Sequence, residues 1–375
     1  MAKRQEQESA RPIVTEVARD VLRMELPIRM PGLGHVNCYV IPDKDGAAIV
    51  DPGLPGPGTW RAIQDRLKRA DLEVRHVHTV IVTHSHPDHF GCAARFVKET
   101  GARVIAHRSF RFGPEPPGHE APEVSVDDLS AQRDADFEAS EDGPLDAKSE
   151  EDSESSDASA SSDAWARGLT PWGGQRPRAP WKTRLRWAAL RLLGAASIVP
   201  VISHPVEHGD VLELAGREWF VVHTPGHTGD HFCLHDPEAG TFLAGDHVLP
   251  TITPHISGIS SSPDPLSSFF YSLDRVGEIA GVEQVLPAHG HPFPDLGARA
   301  DAIKRHHYER LERVKEIGRD IGPGTVEAYT RHLFKPRSWG SMAESEAYAH
   351  LEHLRIAGEA ERGVDSEGRF LYETG

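Results

Sequence analysis

The densest chemistry in this chain lies in seven residues, Thr83-His84-Ser85-His86-Pro87-Asp88-His89, directly after the apolar run Val80-Ile81-Val82. Three imidazoles and a carboxylate between a strand end and a helix start suit zinc or iron. Three other segments place donors in like positions. Thr224-Pro225-Gly226-His227-Thr228 sets His227 after a β-like run, Ala244-Gly245-Asp246 offers a carboxylate, and Pro287-Ala288-His289-Gly290-His291 offers His289. In layered α/β folds the loops at strand ends converge, so these segments can meet at one point. A polar loop with coincidental histidines is the plain alternative for any one segment taken alone.

The elements that would position them alternate between β and α. β-like runs fall at Val36–Ile41, Ala47–Val50, Thr79–Val82 and Arg103–Ala106, with helical patterns at Thr59–Ala70 and Asp88–Thr100. Gly101 stands just past the second helix, where a left-handed cap is favoured. Further runs follow at Val211–Leu214, Glu218–His223, His231–His235, Thr241–Ala244 and Glu283–Leu286, with a helix over Pro265–Ala280. This predicts a layered α/β catalytic domain over 13–297, after a flexible N-terminus at 1–12. Helices at Ala298–Gly318, Thr325–His332 and Ser341–Ala357 and a hairpin about Asp365-Ser366-Glu367-Gly368 predict a winged-helix-like domain over 298–375. His306, His307, His332, His350 and His353 lie on those charged helices and are expected to be solvated.

Everything from about 107 to 203 reads as an insertion. Residues 134–163 hold 12 acidic residues and one Lys, a composition that cannot bury enough apolar surface to offset chain entropy, so disorder is expected. The next stretch is the reverse, with seven Arg or Lys and no acid between Ala164 and Val206. Within it, Trp181–Ile202 can form an amphipathic helix, read as a lid over an apolar substrate, a surface helix, or a membrane or RNA contact. The net charge of −16 argues against coating nucleic acid or anionic membrane as a main task. Three unpaired cysteines exclude a disulfide scaffold. With no apolar leader and no span of adequate length, the expected location is the cytoplasm.

The ordered motif set resembles the metallo-β-lactamase-fold superfamily of metallohydrolases, over about residues 13 to 295 less the insertion. The resemblance implies a four-layer αββα sandwich and two divalent metal ions, zinc foremost, with manganese or iron as alternatives. His84, His86 and His227 would hold one ion, Asp88, His89 and His289 the other, and Asp246 would bridge them. A metal-bridged hydroxide would be the nucleophile, with Asp88 receiving or returning a proton. Val50-Asp51-Pro52-Gly53 matches the family's early acidic turn. Asp51 is then either a hydrogen-bond partner of a ligand histidine or an ordinary turn residue. His231 either faces the substrate or is structural.

His89 directly after Asp88 points to the glyoxalase, lactonase, thioesterase and nuclease branches. The expected activity is therefore hydrolysis of an ester-like bond (thioester, lactone or ester) in a small-molecule substrate. Three alternatives stay open: a single-strand RNA endonuclease with the same site, a mononuclear iron persulfide dioxygenase, and a non-enzymatic binding protein that keeps the site to hold a ligand. The C-terminal helices resemble the tail of the β-lactamase-like protein 2 group, which includes RNA endonucleases. Here they are acid-rich, so a packing or homodimer role is favoured over nucleic acid.

Overall fold

The computed structural model describes residues 4–30, 32–112, 170–173, 198–260 and 262–375. The acidic tract at 134–163 and the helix expected from Trp181, as far as residue 197, lie outside the described residues.

A seven-stranded sheet runs in chain order: β1 (Val14–Ala18), β2 (Val21–Met30), β3 (Leu33–Asp43), β4 (Gly46–Val50), β5 (Val77–Ile81), β6 (Arg103–His107) and β7 (His204–Val206). Pairing is antiparallel from β1 to β4 and parallel from β4 to β7. The parallel strands therefore release their loops at one edge. The second sheet has the order β12-β11-β10-β9-β8. It comprises β8 (Val211–Leu214), β9 (Arg217–His223), β10 (Phe232–Asp236), β11 (Thr241–Gly245) and β12 (Gln284–Pro287). Only its β11–β12 pair is parallel, so β11 and β12 also end together.

The inner faces of the sheets share one core. Tyr39, Ile41, Val50 and Ile81 from the first meet Trp219, Val221, Phe232 and Leu243 from the second. Burial of this area is the main stabilising term, at about 25 cal/mol per Å². The other face of the first sheet is covered by α1 (Pro57–Arg69) and α3 (Ala93–Thr100). α1 buries Trp60, Ile63 and Leu67 on one stripe, starts with a proline whose missing N–H costs nothing there, and collects Arg66, Lys68 and Arg69 at its negative end. α4 (Pro265–Gly277) bonds to the turn after β9, through Ser272 Oγ to Pro225 O at 2.8 Å and Arg275 Nη1 to His223 O at 3.3 Å. The resulting order of layers is helix, sheet, sheet, helix.

The helix expected over Asp88–Thr100 is interrupted. A single turn, α2 (Pro87–Phe90), precedes α3, and between them Gly91 lies so close to Pro55 that a Cβ would sit 2.2 Å from its Cδ.

β1, β2 and β7 carry no simple alternation. In β2, Arg23 and Glu25 are buried as an ion pair at 3.1 Å, so polar residues occupy positions that a pattern reading assigns to solvent. The segment before Ile13, expected to be flexible, holds a 3-10 turn at Gln5–Gln7 with Glu6 fully buried.

The described residues divide into two compact units, one comprising 4–112, 198–254 and 270–307, the other 170–173, 255–269 (less 261) and 308–375. The second unit takes in α5 (Leu296–Ile321) from Tyr308 onward, then β13 (Gly324–Thr325), α6 (Val326–Leu333), α7 (Ser341–Ile356) and the hairpin β14 (Ala360–Val364) and β15 (Phe370–Thr374). Gly368, at φ +77°, closes the hairpin turn with its N–H on Asp365 O. Trp172 O accepts from Phe370 N at 2.9 Å, and the Trp172 ring packs on Tyr348. Two helical histidines expected to be solvated are buried instead. His350 donates Nδ1–H to Glu346 O, and His307 packs against Phe270.

Candidate metal centre

The loops after β5, β9, β11 and β12 bring the seven donors expected from the sequence into two groups. His84, His86, His227 and Asp246 each offer an atom within 4.8 Å of the others, and Asp88, His89 and His289 do the same. Asp246 faces both groups. Its Oδ2 lies 3.5 Å from His227 Nε2 and 3.6 Å from His89 Nε2, and its Oδ1 lies 3.4 Å from His289 Nε2. Asp88 Oδ2 lies 3.6 Å from both His89 Nε2 and His289 Nε2.

The far side of each ring sets its tautomer. Thr83 Oγ1–H donates to Asp51 Oδ2 at 2.7 Å, so Thr83 Oγ1 accepts Nδ1–H of His84 at 3.0 Å. His89 Nδ1–H donates to the same Asp51 oxygen at 2.8 Å. His289 Nδ1–H donates to His35 O at 2.8 Å. Each of these rings therefore keeps its Nδ1 engaged and turns Nε2 toward the centre, the nitrogen it would offer as a ligand. Asp51 combines both readings made of it: it sits in a turn at φ +52° and bonds a ring of the second group.

His231 does not face the centre. Its Nε2 accepts the Asp246 N–H at 3.0 Å, which puts its proton on Nδ1, bonded to Thr224 Oγ1 at 2.7 Å. It sits under the Asp246 backbone, and Gly245, at φ +51°, leaves room for it. Burial, added to by His247, holds its pKa well below the ordinary value, consistent with a neutral acceptor.

The donor set fits a cation on three counts. His86 Nδ1 lies 3.0 Å from His84 Nε2 and 3.1 Å from His227 Nε2, and one nitrogen cannot give its single hydrogen to both. Lone pairs at that spacing repel unless an ion lies between them; nitrogens around one tetrahedral zinc stand about 3.3 Å apart. His89 Nε2, His289 Nε2 and Asp246 Oδ1 are buried without a hydrogen bond, which is costly for a closed structural site. The field has the right sign too. Burial pushes the His89 pKa down, yet Asp51, Asp246 and Asp88 together raise it well above the ordinary value. Burial raises Asp246, yet His289 and His89 outweigh it and hold the carboxyl well below its usual range. Burial and the neighbouring His89 and His86 keep His84 neutral.

Residues 31–321 match the family model of the metallo-beta-lactamase superfamily. The chain belongs to that superfamily. Its four-layer αββα sandwich is the metallo-β-lactamase fold, which implies divalent metal ions, commonly zinc. A metallo-beta-lactamase family protein from Thermus thermophilus superposes with a TM-score of 0.66 at 26% identity, covering 95% of this chain and 99% of that one. A probable metallo-hydrolase of Bacillus subtilis, YqjP, is 23% identical over 94% of this chain and 97% of its own length. An atrochrysone carboxyl ACP thioesterase of Aspergillus aculeatus, AacuM, is 31% identical over 26% of this chain and 28% of its own. The fungal lactamase-like relatives are likewise matched over only about a third of their length.

Around this metallo-β-lactamase-fold centre lie residues that the sequence reading missed. Ser85 Oγ donates to buried Asp230 Oδ1 at 3.0 Å, tying the His84–His86 turn to the His227 loop. Asn37 Nδ2 donates to Pro287 O and Gly290 O, both at 2.8 Å, holding the His289 loop. Asp230 adjoins a motif and could have been weighed; no sequence signal singles out Asn37. Among the described residues, no helix is long and apolar enough to cross a membrane.

Proposed function

We propose that this chain is a dinuclear metallohydrolase that cleaves an ester-like bond, a thioester, lactone or ester, in a small-molecule substrate. The observation that carries the reading is the position of Asp246, whose Oδ2 lies 3.5 Å from His227 in one group and whose two oxygens lie 3.6 and 3.4 Å from His89 and His289 in the other. His84, His86 and His227 would hold one divalent ion, Asp88, His89 and His289 the other, and Asp246 both. Bound there, such ions supply Lewis acidity and lower the pKa of bound water toward about 7.

The chain's own residues do the remaining work. Asp51 and Thr83 keep Nδ1 of His84 and His89 engaged, so both present Nε2. His231 holds the Asp246 backbone, and His35 holds His289. Asp88, only 4% exposed, would take a proton during attack and return it to the leaving oxygen or sulfur. The partly matched fungal thioesterases support placing thioesters first among substrates.

The test joins metal content with turnover. Protein purified without added metal is assayed for ions per chain, then with acyl thioesters, lactones and aryl esters, beside His84→Ala and Asp246→Ala. Two ions per chain and thioester or lactone turnover lost in both variants are expected. One iron per chain with oxygen uptake on persulfides, or cleavage of labelled single-stranded RNA without ester turnover, would replace this reading.

A further inference from the structure

We infer that residues 5–8 form a strap that positions His289 and the loop after Asp246, with Glu6 as its anchor; its metal consequence rests on the two-ion reading above. The Glu6 side chain is fully buried, and its carboxylate is met by three donors from one loop. Thr251 N donates to Oε1 at 2.9 Å, Ile252 N to Oε1 at 3.3 Å and Thr251 Oγ1 to Oε2 at 2.5 Å. That loop leaves β11 through Asp246, and Arg299 braces it from outside, donating to Leu249 O at 2.6 Å and Ile252 O at 2.7 Å. A buried carboxylate is costly unless fully hydrogen-bonded, so this geometry exists only while strap and loop are docked.

The same strap grips the His289 loop. Gln5 Oε1 accepts His291 N–H at 2.9 Å, and His35 donates Nδ1–H to Glu8 O at 2.8 Å. The backbone oxygen of that His35 is the acceptor for His289 Nδ1–H. Glu8 thus fixes the residue that fixes a candidate ligand. Two glycines leave space for the passage. A Cβ on Gly34 would lie 2.1 Å from Glu8 O, and one on Gly290, at φ +84°, would lie 2.7 Å from Pro250 Cγ and 3.4 Å from Gln5 Oε1. Ordinary packing of a surface segment needs neither a buried, triply bonded carboxylate nor glycine clearance on two separate loops. Glu6 and His35 are positioning residues, acting through Asp246's loop and His289.

Full-length wild type, Glu6→Ala, Glu6→Gln and Gly34→Ala provide the test. In metal-free protein, amide exchange over residues 284–293 is expected to rise at least threefold in Glu6→Ala and Gly34→Ala, while exchange over β9 and β10 stays unchanged. Unchanged exchange over 284–293 in a folded Glu6→Ala overturns the strap. Zinc titration against a chromophoric chelator is expected to show one of the two ions bound roughly 10-fold or more loosely in Glu6→Ala, the other within twofold of wild type, and partial recovery in Glu6→Gln. Equal loss at both ions, or none, overturns the positioning role. A wild type that binds one ion per chain sinks the two-ion reading instead, and the exchange result still decides the strap.

Discussion

Asp51 Oδ2 accepts Nδ1–H of His89 at 2.8 Å, and the same oxygen takes the Thr83 hydroxyl that orders His84. One carboxylate thereby governs a ring in each donor group. Asp51→Ala is expected to weaken metal binding by 10- to 100-fold and lower kcat/KM at least as much, with the circular dichroism spectrum retained. Chelator competition and turnover measured on the same preparation check this. Thr83→Val should weaken the ion held by His84, His86 and His227 more than the other, since it interrupts only the branch to His84.

Gly245 is a tight backbone constraint directly beside Asp246. It has φ +51°, and an added Cβ would fall 2.5 Å from His231 Nε2. Gly245→Ala should cost on the order of 2–3 kcal/mol through strain and the displaced acceptor of Asp246 N–H. Denaturant unfolding reads the stability loss, and turnover should fall further than stability alone explains. A variant as stable and active as wild type would refute the role given to His231.

Removing the ions should lower stability as well as activity. Without a cation, His84, His86 and His227 crowd their nitrogens at 3.0–3.1 Å, so binding relieves repulsion in the folded state. At a free-metal concentration 100 times Kd, linkage adds about 2.7 kcal/mol per site. A chelator should therefore lower Tm by several degrees, and zinc should restore it. Asp246→Ala should lose most of that increment.

Acid should unfold the chain through two stacked histidines away from the donors. The rings of His107 and His223 lie 3.9 Å apart and nearly parallel. Burial lowers their pKa values to about 3 and about 4, helped for His107 by His223 and Arg108, and for His223 by Arg275, His208 and Arg108. The unfolded chain binds protons below about pH 6.5, which the folded rings refuse until about pH 4 and below. Their contribution is complete above pH 6.5 and is lost as pH falls toward 4. At pH 5 the loss is on the order of 1–2 kcal/mol per ring. Urea midpoints measured from pH 7.5 to 4.5 should fall, and His107→Phe should flatten the slope.

The donor residues were legible because a metal needs particular atoms, and the chain supplies them in short motifs at strand ends. His84 through His89 announce themselves, and the β-like runs before His227, Asp246 and His289 say which loops carry them. The family resemblance then paired these residues into groups whose atoms the fold brings within 4.8 Å. The partners that aim the rings were far less legible. Thr83, Asn37 and the carbonyl of His35 act through hydrogen bonds that mostly reach residues distant in sequence, and no composition or period marks them. β2 was hidden because its Arg23 and Glu25 neutralise each other inside the protein, and α2 was hidden because contact between Gly91 and Pro55 breaks a continuous helical pattern. Residue type and local periodicity were enough to say which side chains could ligate and on which elements they stand. That His231 lies under Asp246 and that Glu6 is buried against Thr251 emerged with the folded chain, because long-range packing alone sets which buried polar atoms meet.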